Sequence, residues 1–182
     1  MHFKNWPQPH LPRFQKKVEQ GLDKPALNRW ALQFIQGSTE SPLGLRVLLE
    51  GEMGSGKTTL AQSLLSALQV EEPIQGSPTF PIMTEYHQKK SQKRVIHCDL
   101  YRLRSVDEIM EIGLEEAFMD PEVIVIAEWA SLFPEWVSQV VEAHAETLQF
   151  FRITLGWPAS SDALETVYRD LGIEFLPTTK RL

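Results

Sequence analysis

Hydrophobic positions along the chain follow two alternating rhythms, one helical and one strand-like. Over residues 25–36, Leu27, Trp30, Ala31, Phe34 and Ile35 recur at helical spacing, and Gly37 sits where a helix would stop. The segment STESPLG (38–44) reads as a loop and RVLLE (46–50) as a buried strand. Leu60, Ala61, Leu64, Leu65 and Leu68 form one stripe of a helix predicted over residues 57–69. After the turn residues QGSP (75–78), residues 79–86 and 94–99 read as an antiparallel pair joined by the polar QKKSQK (88–93). Ser105 and Glu108 form a capping-box pattern that predicts a helix running to about Phe118. VIVIAE (123–128) has the continuous apolar character of a central strand covered on both faces. TLQFFRITL (147–155) is a further strand, and residues 161–171 read as a closing helix ended by Gly172. This alternation predicts an α/β fold, a three-layer sandwich around a mixed, partly antiparallel central sheet.

Composition adds limits to that picture. The chain has 182 residues, enough for one core, which predicts a single domain over 25–182. An irregular basic arm over 1–24, punctuated by Pro7, Pro9 and Pro12, is expected before it, and it has no apolar segment of the secretory-signal kind. The net charge of −6 is unevenly spread. Residues 1–46 carry seven basic side chains against three acidic, and residues 47–182 carry eleven against twenty-one. An acidic body repels phosphate backbones, which argues against the chain gripping RNA alone, and the arm reads as a solvated tail. The longest apolar run, VIVIA at 123–127, is far below the ~20 residues a membrane helix needs. The one cysteine, Cys98, fits a reducing compartment, so a cytoplasmic location is expected.

The chemistry starts at GEMGSGKTTL (51–60), which joins a predicted strand to a predicted helix. Gly51-x4-Gly56-Lys57-Thr58 is the complete P-loop spacing. Glycines at 51, 54 and 56 let backbone N–H groups converge on phosphate oxygens, and the helix start adds its positive dipole end. Lys57 is expected at the β- and γ-phosphates, and the Thr58 hydroxyl at Mg²⁺. The only asparagines, Asn5 and Asn28, precede this loop, which excludes the guanine-reading Asn-Lys-x-Asp signature and leaves ATP as the nucleotide. The sandwich is therefore expected to be P-loop NTPase-like.

Such a site needs an acidic group at the end of a neighbouring buried strand. Two strands end that way, VIHCD at Asp99 and VIVIAE at Glu128. One would hold Mg²⁺ and the other would orient or deprotonate the attacking water. The alternative for Asp99 is a turn cap. Thr79, in GSPTF, lies where P-loop switches sense the γ-phosphate. His97 and Asp99 share a strand face but are too few for a metal site, and Cys98 points into the core. Trp129 and Trp136 read as core, the alternative being that an aromatic beside a catalytic acid anchors a partner. The acids over 107–122 read as a solvated helix face, and Arg102 and Arg104 as surface ion pairs rather than arginine fingers.

In this order, GEMGSGKTTL, SPTF, HCDLYRL, IGLEEAF and IAEW, the chain resembles the TsaE (YjeE) family of bacterial P-loop ATPases from about Val47 to Pro134. The resemblance implies a role in making threonylcarbamoyladenosine in tRNAs that read codons beginning with A. It implies action on the TsaD and TsaB proteins rather than transfer of the group itself, with tRNA met only indirectly and no membrane involved. Carried over, Gly51, Glu52, Met53, Gly54, Ser55, Gly56, Lys57, Thr58 and Thr59 would bind ATP. Thr58 and Glu128 would hold Mg²⁺, Asp99 would be required for hydrolysis, and Thr79 would belong to a nucleotide-sensing loop. The competing expectations are a nucleotide-gated binding module and a small-molecule P-loop kinase. The basic lead and the segment GWPASSDALETVYRDLGIEF depart from the family pattern.

Overall fold

The computed structural model describes residues 19–71, 82–144, 146–157 and 169–176. Its strands are β1 (Glu19–Leu22), β2 (Gly44–Gly51), β3 (Met83–His87), β4 (Arg94–Asp99), β5 (Ile124–Glu128), β6 (Leu148–Gly156) and β7 (Arg169–Phe175). Its helices are α1 (Lys24–Ser38), α2 (Lys57–Ala67), α3 (Val106–Glu111), α4 (Leu114–Met119) and α5 (Pro134–Ala143). The strands make one sheet in the order β1-β7-β6-β2-β5-β4-β3. The four inner strands β6, β2, β5 and β4 run parallel, and β3, β7 and β1 pair antiparallel at the two edges.

Side-chain alternation divides the core into two layers. Leu45, Val47 and Leu49 of β2 face α1 and α2, together with Ile124 and Ile126 of β5 and Phe151 and Ile153 of β6. Leu48, Val125, Ala127 and Phe150 face the other way, against Ile109, Phe118, Trp136 and Val140 of α3, α4 and α5. β2 and β5 are therefore covered on both faces, which is why VLL and IVIA read as continuous apolar runs. The three-layer α/β sandwich with a mixed sheet is as the sequence predicts.

Five local expectations are corrected. α1 runs through Gly37 to Ser38, because the buried face of the helix outweighs the ~1 kcal/mol that an internal glycine costs. It ends where the Thr39 N–H and hydroxyl both donate to Ile35 O, at 3.0 and 2.7 Å. The helix predicted from Ser105 to Phe118 is two helices, broken at Gly113, whose φ of 72° is left-handed. Ser105 opens α3 as expected, its hydroxyl accepting from Glu108 N–H at 3.4 Å, but the Glu108 carboxylate accepts from Arg104 N–H at 2.8 Å, one residue upstream of the reciprocal bond. The closing helix is overturned where it is described: 169–175 is strand β7, and Gly172 pairs with Thr154 instead of ending a helix. Leu171, Ile173 and Phe175 alternate at period two and pack on the α1–α2 core, a strand signal that the helical reading passed over. Residues 19–22, assigned above to the irregular arm of 1–24, form β1 and pair with β7, so the folded unit starts ahead of residue 25.

Among the described residues Arg46 is the largest fully buried side chain, and it lies on the α3–α5 face of β2. Its guanidinium donates to five backbone carbonyls: Leu45, Ala117, Phe118, Asp120 and Val123, at 2.6–3.2 Å. It thereby closes the C-terminal end of α4 and the turn into β5. Burial lowers its pKa from 12.5 to about 10, against the pull of Asp120. Among the described residues, no helix is long and apolar enough to cross a membrane.

Candidate active site

The carboxyl ends of β2, β5 and β4 lie side by side, with Leu49 opposite Glu128 and Glu128 opposite Asp99. Beyond β2 the chain turns at Gly51, whose φ is 139°. A Cβ there would overlap the backbone oxygen of Leu155 and lie 2.8 Å from Ser55 Oγ. Backbone on β6 cannot move aside as a flexible side chain would. Gly51→Ala is therefore expected to destabilise the fold by about 2–4 kcal/mol, read as a lower urea midpoint; an unchanged midpoint would contradict this geometry. The N-cap of α2 is Gly56, which offers no side-chain cap, so the N–H groups of the first turn are left for an external anion.

Lys57 opens α2 and is 4% exposed. Its Nζ donates to the carbonyls of Gly51 at 2.9 Å and Glu52 at 2.8 Å, and it lies 3.7 Å from the centre of the Trp129 ring. Desolvation lowers its pKa, while Glu128, Asp99 and Glu50 oppose the shift. The next residue, Thr58, donates from Oγ1 to Glu128 Oε2 at 3.0 Å. The other Glu128 oxygen, Oε1, lies 2.9 Å from His97 Nε2. Glu128 is 2% exposed, so a buried carboxylate at a strand end has two polar partners. Asp99 caps the 3₁₀ turn Leu100–Arg102, with Oδ1 accepting from Tyr101 N–H at 3.1 Å.

The structure thus brings together Gly51 to Thr59, Asp99 and Glu128 at one edge of the sheet. Thr79 lies outside the described residues. Asp99 is a turn cap, as its alternative reading had it, and at the same time stands in register beside Glu128. Cys98 is buried, and burial pushes its thiol far above its ordinary range. Three participants escaped the sequence reading. His97 shares the face of Asp99 and reaches across to Glu128; its place two residues before a strand-end acid was the available signal. Trp129 was read as core but is half-buried at the site, with φ 63° and ψ 29°. Glu50, 7% exposed, accepts from Ser131 N–H at 2.8 Å and from its hydroxyl, tying the turn after β5 to the end of β2.

The donor set suits a nucleotide's phosphates with a divalent cation. A buried ammonium and a capless helix start supply positive charge, and a hydroxyl already bonded to a carboxylate can turn its lone pair to a metal. Among the described residues no cluster of three His, Cys, Asp or Glu side chains could form an all-protein metal cage. A small cation that keeps waters and leans on phosphates needs none.

The family model described as threonylcarbamoyl adenosine biosynthesis protein TsaE matches residues 22–154. The chain is 40% identical over 94 residues to the tRNA threonylcarbamoyladenosine biosynthesis protein TsaE of Nostoc, covering 50% of this chain and 56% of that one. It is 36% identical over 121 residues to the protein of the same name in Synechocystis, covering 64% of this chain and 72% of that one. It thus spans just over half the length of the Nostoc relative. Among solved structures, it is similar to YdiB from Bacillus, with a TM-score of 0.54 and 19% identity over 87% of this chain and 84% of the other, a likeness of fold alone.

Proposed function

Since this chain belongs to the TsaE family, we propose that it is an Mg²⁺-dependent ATPase required for threonylcarbamoyladenosine modification of tRNAs reading codons that begin with A. The observation that carries this reading is the Thr58–Glu128 hydrogen bond, which joins the P-loop to an acid 70 positions away. The curated relatives' names, which specify tRNA threonylcarbamoyladenosine biosynthesis, support the pathway.

In this reading the backbone of Gly51 to Gly56 and the first turn of α2 hold the phosphates, and Lys57 neutralises charge at their terminal oxygens. Thr58 Oγ1 and Glu128 would hold Mg²⁺, the Thr58 hydroxyl keeping its proton directed at the Glu128 carboxylate. Bound Mg²⁺ supplies charge neutralisation on the phosphoryl oxygens. His97 fixes the Glu128 carboxylate from its other oxygen. Asp99, its rotamer set by Tyr101 N–H, orients the attacking water. The chain acts in the cytoplasm on the TsaD–TsaB complex and meets tRNA through it, in keeping with the net charge of −6.

A second reading has the nucleotide gate binding to a partner, with hydrolysis timing release. It is favoured by Met53, Tyr101 and Leu132, which are 68%, 51% and 47% exposed on the loops bordering the site. ATP hydrolysis by the purified chain, alone and with TsaD and TsaB, tests both. Stimulation of tenfold or more, on the order expected for a positioned water ligand and lost in Asp99→Ala, is the result expected. Tight ATP binding without stimulation would transfer the case to the second reading.

A further inference from the structure

Trp129 has a backbone conformation that a bulky aromatic residue rarely adopts, at φ 63° and ψ 29°. Surrounding contacts hold it there. Its N–H donates to Leu49 O at 3.0 Å, its carbonyl accepts from Leu132 N–H at 3.1 Å, and Glu50 grips the intervening Ser131. The turn is thus pinned to the end of β2 on both sides of the residue. The result is an indole ring lying across the strand end, over the Lys57 ammonium.

An ammonium has three donors. Those of Lys57 have two P-loop carbonyls and the ring face as partners. The Ser55 N–H, which a P-loop would offer to phosphate, donates to the same Glu52 carbonyl at 3.1 Å. With its three donors all engaged within the protein, Lys57 must release at least one partner to reach a phosphate. Of those partners, the indole alone lies outside the P-loop.

We propose that Trp129 is a positioning residue that holds the P-loop lysine in reserve, so that an incoming nucleotide competes with the indole ring for the Lys57 ammonium. This rests on the reading of the site as a nucleotide site. The strained turn is what aims the ring, and the ring sets how tightly the phosphates are held by competing for the ammonium. Through the Tyr101 ring, 5.1 Å from that of Trp129, and the Tyr101 N–H on Asp99, the lysine's position is joined to the turn carrying that acid.

Calorimetric titration with ADP and with ATP in Mg²⁺ buffer tests the proposal on wild-type protein, Trp129→Leu and Trp129→Gly, each with and without Lys57→Ala. Removing a cation–π competitor is expected to tighten binding roughly 2- to 30-fold. In the Lys57→Ala background that gain should vanish. Trp129→Phe, which keeps a ring face, should fall between. Glycine suits the left-handed turn, so Trp129→Gly carries the test if Trp129→Leu does not fold. Unchanged or weaker affinity in the folded variants overturns the proposal, as does an equal gain without Lys57, which would make the ring a mere obstruction. Failure of the wild-type chain to bind either nucleotide overturns the nucleotide reading itself, and the proposal with it.

Discussion

Lys57→Ala is expected to lower ATP turnover by about 10²- to 10³-fold, the usual loss when a preorganised donor to developing charge is removed. Three features make the effect large. The side chain is almost wholly buried, so water cannot replace it; the nearby acids Glu128, Asp99 and Glu50 would lose the cation that offsets their charge; and no other described basic side chain opens α2. Some stability should be lost as well, because removing one member of a group of buried charges leaves the others uncompensated. Steady-state phosphate release and a melting curve on the same preparation check both halves. Turnover within a few-fold of wild type would remove the P-loop from the mechanism, whereas a collapsed melting temperature would make Lys57 structural.

Arg46→Ala is expected to have the largest effect on stability, a loss of at least about 4 kcal/mol, because several buried carbonyls lose a charged donor at ~1–3 kcal/mol each and a cavity opens. Against a typical total of ~5–15 kcal/mol, this removes a large share of the margin that keeps the protein folded. Arg46→Lys should recover roughly half, since an ammonium keeps the charge but lacks the planar fork that reaches Ala117, Phe118, Asp120 and Val123 together. Urea unfolding of both variants measures the difference. Equal stability of Ala, Lys and wild type would show that the carbonyls find water instead.

The central strands and the phosphate loop were legible because their signals are local. β2 and β5 are apolar runs, α2 is a single stripe, and Gly51 to Thr58 fixes a spacing that few other structures need. The two acids at strand ends were legible for the same reason, since an isolated charge closing a buried strand requires a partner. What was missed depends on distance or on backbone angle. The carbonyls around Arg46 lie 71–77 positions away, apart from Leu45, so nothing near it distinguishes it from an ordinary surface charge. Trp129 looks like core until its left-handed turn is seen, and His97 looks idle until β4 is set beside β5. β1 was hidden in a basic, proline-marked lead because an edge strand needs only one neighbour, and the first residues of that neighbour, β7, had been read as the end of a helix over 161–171.

The row of strand ends that gathers Leu49, Glu128 and Asp99 also has a thermodynamic consequence. Groups from α2, β4 and β5 meet there only after the centre of the sheet has paired, so an unfolded chain has no partial version of the site. A nucleotide that occupies it is then a ligand of the folded state alone. At a free concentration of 100 times its dissociation constant, such a ligand adds about 2.7 kcal/mol to the stability of the whole sheet. The nucleotide pool would thereby help set how much of this protein survives as well as how fast it works.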